Sequence, residues 1–163
     1  MEKPMSSYDH PARASHHATW GLPDPDYQAE FYADVPTKRL IAWIIDTVIV
    51  ALLVVLAIVF TAFIGAFFAG FLWLALGFAY RTVTIANGSA TLGMRLCSIE
   101  LRKADGSRMD FGAALLHTLG YSMSMAFVLP QIASVVLMLT SERKQGLTDM
   151  VLGTAAINKP SRF

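Results

Sequence analysis

The chain has 163 residues, enough for one domain, of which 55% are apolar and only 15% charged, with a net charge of +1. Soluble domains carry about 25% charged residues, so the composition argues against a water-soluble globule, and the near-neutral balance without a basic, aromatic-laced stripe argues against nucleic acid as a partner. Cys97 is the one cysteine, which excludes an intramolecular disulfide; with no His or CxxC partner nearby it reads as small apolar filler.

Residues 1–35 read as a disordered polar tail. Pro4, Pro11, Pro23 and Pro25 interrupt it, and its mixed charge cannot bury enough surface to fold alone. His10, His16 and His17 sit here, at a spacing that fits no standard metal pattern. The first apolar run begins after residue 39, late for a cleavable signal.

From Leu40 to Tyr80 the only ionisable side chains are Asp46 and Tyr80 itself. The run is about twice the roughly 20 residues of one membrane crossing. It predicts two helices, Thr37–Phe60 and Phe63–Tyr80, joined by a charge-free turn near Thr61–Gly65. Lys38 and Arg39 stand where long cationic side chains snorkel to the interface. Ala62, Ala66 and Gly70 recur every fourth residue, a spacing that suits close helix packing in lipid and also arises from Ala/Gly frequency alone. Residues 81–110 form a polar loop with Arg81, Arg95, Arg102, Lys103 and Arg108. Within it Ser98–Arg102 alternates like a strand and Ala104–Ser107 reads as a turn. The apolar run 111–140 would measure about 45 Å as a straight helix, long for one crossing and short for two. His117 and Gln131 interrupt it, and Pro130 predicts a kink or break.

The expected fold is therefore all-α and membrane-embedded. It comprises a two-helix transmembrane hairpin, a polar cytoplasmic loop with short β-strands, and a third apolar segment broken at Pro130. Residues 1–35 form a tail, 36–158 the membrane domain and 159–163 a C-terminal tail. The basic residues place the N-terminus and the 81–110 loop in the cytoplasm. They place the C-terminus there too, whereas three straight crossings would put it outside. A third segment that folds back, or a pairing of Ile99–Arg102 with Thr154–Ile157, would keep both on one side.

A carboxylate inside an apolar helix costs about 2.5–3.5 kcal/mol at the helix centre. Asp46 stands about two turns inside from Arg39, and both side chains lean toward the helix N-terminus, which points Arg39 away from it. Its candidate partners are Arg39 through a water, Arg95 or His117, while Arg39 is free to take Asp149 as a bidentate partner. Two readings of these charges stay open. In one, Asp46 binds a monovalent cation or cycles a proton; in the other, the charges form a buried clasp that fixes helix packing. No G-x-S-x-G, H-E-x-x-H, C-x-x-C or P-loop is present, so neither an enzyme nor a cofactor is expected.

Arg39-x-x-Ala42-x-x-x-Asp46 resembles the opening motif of the RDD family, named for one arginine and two aspartates. Thr91-Leu92-Gly93-Met94-Arg95-Leu96, Ile99 and Asp105-Gly106 resemble the family's loop pattern. Gln145-Gly146-Leu147-Thr148-Asp149 with Gly153-Thr154 resembles its closing motif. The match covers about residues 37–158. His117 stands where the family often has arginine, and Thr148 where it often has histidine, which puts a proton relay shared across the family in doubt. The resemblance implies a bacterial inner-membrane protein. It also implies either a cation/proton transporter or transporter subunit, or a non-catalytic scaffold or assembly factor. Three spans do not easily enclose a path, so a homo-oligomer or a partner membrane protein is expected beside the lipid bilayer.

Overall fold

The computed structural model describes residues 21–159; the tail histidines lie outside them. Helix α1 spans Val35–Phe60, 26 residues or about 39 Å. Pro36 begins it, where a missing N–H costs nothing. Its buried positions, Val35, Ala42, Asp46, Val50 and Val54, fall on one stripe. The large apolar side chains Ile44, Val48, Leu52, Val55 and Leu56 stay exposed. A helix that shows apolar side chains outward and buries a carboxylate inverts the soluble pattern. With a mean hydropathy of 2.9, α1 is long and apolar enough to cross a membrane.

At its end the Thr61 hydroxyl donates to the Ala57 and Ile58 carbonyls and accepts from the Gly65 N–H, at 2.9–3.0 Å. Ala62 and Phe63 then take left-handed backbone (φ 50° and 68°), reversing the chain into a 3-10 turn, Ile64–Phe68. Helix α2 follows, Ala69–Gly88. The chain remains helical two turns beyond Tyr80, because no Gly or Pro intervenes between Tyr80 and Gly88. Arg81 is thus a helix residue, and the polar loop begins at Ser89.

That loop contains the short helix α3, Leu92–Leu96, and strand β1, Ile99–Lys103. Strand β1 pairs antiparallel with β2, Thr154–Asn158, in the register Ile99↔Asn158, Leu101↔Ala156 and Lys103↔Thr154. Ile99 and Leu101 are fully buried and pack with Val35, Ala42, Ile85 and Met94. The tight core therefore lies at one end of the long helices, around the sheet. Residues 21–34, read from the sequence as tail, belong to this end. Leu22 and Tyr32 are buried against Ala155 and Ile157, and the Gly21 N–H donates to the Ala104 carbonyl at 2.7 Å.

The third apolar stretch forms α4, Phe111–Ala126, and α5, Val128–Thr140, bent from each other by 116°. The break falls at Phe127, not at Pro130. Pro130 sits in the first turn of α5, where its missing N–H would be unpaired in any case. Helix α6, Leu147–Leu152, packs on both α4 and α5 and ends on left-handed Gly153 (φ 61°).

Candidate functional site

Two buried carboxylates organise the polar end. Asp46 projects from the inner stripe of α1 and is 1% exposed. Its Oδ1 accepts the Tyr80 hydroxyl at 2.7 Å and the Gly93 N–H at 2.9 Å. Its Oδ2 accepts the Thr91 hydroxyl at 2.6 Å. Thr91 is also the N-cap of α3, accepting the Met94 N–H at 3.2 Å, and the Leu92 N–H donates to the Tyr80 hydroxyl at 3.2 Å. The free N–H groups of the first turn of α3 are thus met by Asp46, Tyr80 and Thr91. Position 93 must be glycine for this approach: a Cβ would lie 2.9 Å from Asp46 Oδ1 and collide with the Ala42 carbonyl. Charge arrives only at longer range, with Arg81 Nη1 3.8 Å from Asp46 Oδ2.

Arg81 stacks over the Tyr121 ring of α4, 4.4 Å from its centroid. The Tyr121 hydroxyl accepts the Trp43 indole N–H of α1 at 2.8 Å. Trp43, Tyr121, Arg81 and Asp46 therefore link three helices.

Asp149 is held differently. It sits in the first turn of α6, fully buried. Its Oδ2 pairs with Arg39 and accepts the Gly146 N–H at 3.0 Å. Its Oδ1 lies 2.9 Å from His117 Nε2 and accepts the Thr154 hydroxyl at 3.2 Å. Burial pushes this carboxyl up, but the Arg39 charge and the His117 contact outweigh it and leave the group below the ordinary carboxylate value. His117 Nδ1, on the far edge of the ring, is buried and meets no partner among the described residues.

The candidate residues thus fall into two centres. Arg39, His117 and Asp149 meet in one, and Asp46 stands in the other. Among the described residues Arg39, Arg95 and His117 make no direct bond to Asp46. Arg39 and His117 face Asp149, and Arg95 caps α2 by donating to the Thr84 and Ala90 carbonyls at 3.2 and 3.3 Å. Tyr80, Thr91, Gly93, Arg81, Trp43 and Tyr121 complete the Asp46 centre. Thr148 packs against Gly120 of α4, where a Cβ would lie 2.6 Å from its methyl. Among the described residues no group of three His, Cys, Asp or Glu is placed to hold a metal ion.

The sequence model of the RDD family matches residues 34–153, which contain both centres. No curated protein and no solved structure matches the chain.

Proposed function

The chain belongs to the RDD family, and from that premise we propose that it is a non-catalytic scaffold or assembly protein of a bacterial inner membrane. In this reading α1 and α2 cross the bilayer as a hairpin. The turn 61–68 carries no charge, while Lys38, Arg39, Arg95, Arg102, Lys103, Arg108, Arg143 and Lys144 gather toward the other end, which the positive-inside rule assigns to the cytoplasm. Helices α4 and α5 have 16 and 13 residues, about 24 and 20 Å, each short of a roughly 30 Å hydrocarbon core. They enter and return on one side, so the C-terminus stays with its strand partner β1.

The observation that carries the scaffold reading is that both oxygens of Asp46 and of Asp149 already accept hydrogen bonds from the chain itself. A carboxylate so occupied holds elements together, and a cation entering would have to displace several donors. The clasp leaves the lipid-facing helices free to meet a second copy or a client membrane protein.

Cation/proton transport is the second reading. It is favoured by His117, whose buried Nδ1 meets no partner among the described residues while its Nε2 faces Asp149. Sodium and proton flux in liposomes containing the purified chain, beside Asp46→Asn and Asp149→Asn variants, separates the two. The scaffold reading expects no flux above empty liposomes and reduced stability in both variants. Flux in the wild type, lost in a variant that remains folded, would establish transport instead.

A further inference from the structure

Arg81 is the cation at these centres whose donors go unanswered. Its side chain is 14% exposed, yet among the described residues none offers its guanidinium an acceptor at hydrogen-bond distance. The nearest carboxylate oxygen, on Asp46, stands 3.8 Å away and is held by shorter bonds to Tyr80, Thr91 and Gly93. Asp46 is therefore satisfied without Arg81, and the planar fork of donors remains available. The Tyr121 ring lies beneath it, 4.4 Å from the guanidinium carbon to the ring centroid.

The edge nearest Arg81 lies between α1, which carries Asp46, and α4, which carries Tyr121. Both helices pack on α2, and close backbone contact runs from α1 to α2 and from α2 to α4. Side chains bridge the remaining edge in two layers. Arg39 and His117 meet through Asp149, and one turn deeper on each helix Trp43 bonds Tyr121. Arg81 packs on the Tyr121 ring of this second bridge, and Trp43 at its other end is 38% exposed. Trp and Tyr rings are enriched at the headgroup level of a bilayer.

We infer that this edge is a binding site for the phosphate group of a membrane phospholipid, taken by the Arg81 guanidinium with Trp43 and Tyr121 as its rim. Arginine matches two phosphate oxygens with parallel donors, which lysine cannot do. The charges of Arg81 and Asp46 balance, so recognition rests on this fork geometry rather than on net charge. The lipid-facing sides of α1 and α4 receive the acyl chains.

The test uses the full chain with Trp43 as its only tryptophan (Trp20→Phe, Trp73→Phe), in mixed micelles. Brominated phosphatidylglycerol is titrated against brominated diacylglycerol, which has the chains and no phosphate. Quenching of Trp43 should reach its midpoint at a mole fraction at least about tenfold lower for the phospholipid. Arg81→Gln should erase that preference and Arg81→Lys should reduce it; the lysine variant decides if the glutamine variant does not fold. Inorganic phosphate in millimolar excess should leave the quenching in place. Equal quenching by both lipids, or an undiminished preference in a folded Arg81 variant, would overturn the proposal. Displacement by inorganic phosphate would reassign the site to the free ion.

Discussion

Asp46 and Asp149 are both fully buried carboxylates in the same polar end, and they are satisfied by different means. Asp46 is met by two hydroxyls and a backbone N–H from α2 and α3, with Arg81 only at 3.8 Å. Asp149 is met by the Arg39 guanidinium and the His117 ring, with a hydroxyl and an N–H in support. The Asp46 centre joins α1 to the elements that follow it, α2 and α3, through small neutral donors. In the Asp149 centre Arg39 reaches across 110 residues of sequence, a long charged side chain spanning from α1 to α6. Loss of Asp46 strands neutral donors and a charge held only at 3.8 Å, whereas loss of Asp149 strands the Arg39 guanidinium that bonds it directly.

That asymmetry orders the expected effects. Asp149→Ala should cost the most, about 3–5 kcal/mol, because Arg39 would be left buried and unpaired; reversible unfolding in detergent measures it. A cost below that of the Asp46 variants would break the comparison. Asp46→Asn should cost about 1.5–3 kcal/mol, the range for a hydrogen bond to a charged group, since one of its three donors must then face an NH2. Thr91→Val should cost about 0.5–2 kcal/mol through the lost N-cap of α3, and hydrogen exchange at Leu92–Leu96 should rise locally.

The pH dependence sharpens the contrast further. The Asp149 carboxyl lies below its ordinary value of 3.8 in the folded chain. Its contribution is therefore complete above that value and is lost as pH falls below it toward the folded value. Asp149→Asn should flatten the acid limb of the stability profile, and an unchanged limb would place the acid sensitivity elsewhere.

Much of this was legible in the sequence. The long apolar runs announced α1 and α2, and alternation announced β1. The Arg39–Asp149 pair could be anticipated because charge seeks charge at long range. The partners of Asp46 could not, because hydroxyls and a backbone N–H look unremarkable until the turn at Thr91–Gly93 is folded onto α1. Arg81 was hidden for another reason. A charged residue after an apolar run reads as the exit from the membrane, yet this one turns inward to stack on Tyr121. Pro130 misplaced the break in the third segment, since a proline in a first helical turn interrupts nothing. The ordered stretch 21–34 was missed because its fold depends on Leu22 and Tyr32 meeting β2, a contact between opposite ends of the chain.

The most direct test of the clasp is a double-mutant cycle on Arg39 and Asp149, with unfolding free energies measured in detergent for Arg39→Ala, Asp149→Ala and the pair. The account predicts that the double variant is no less stable than the worse single one, because removing both partners removes the stranded charge. Additive losses would show that the two residues act independently, and would contradict the claim that they hold α1 to the C-terminal segment.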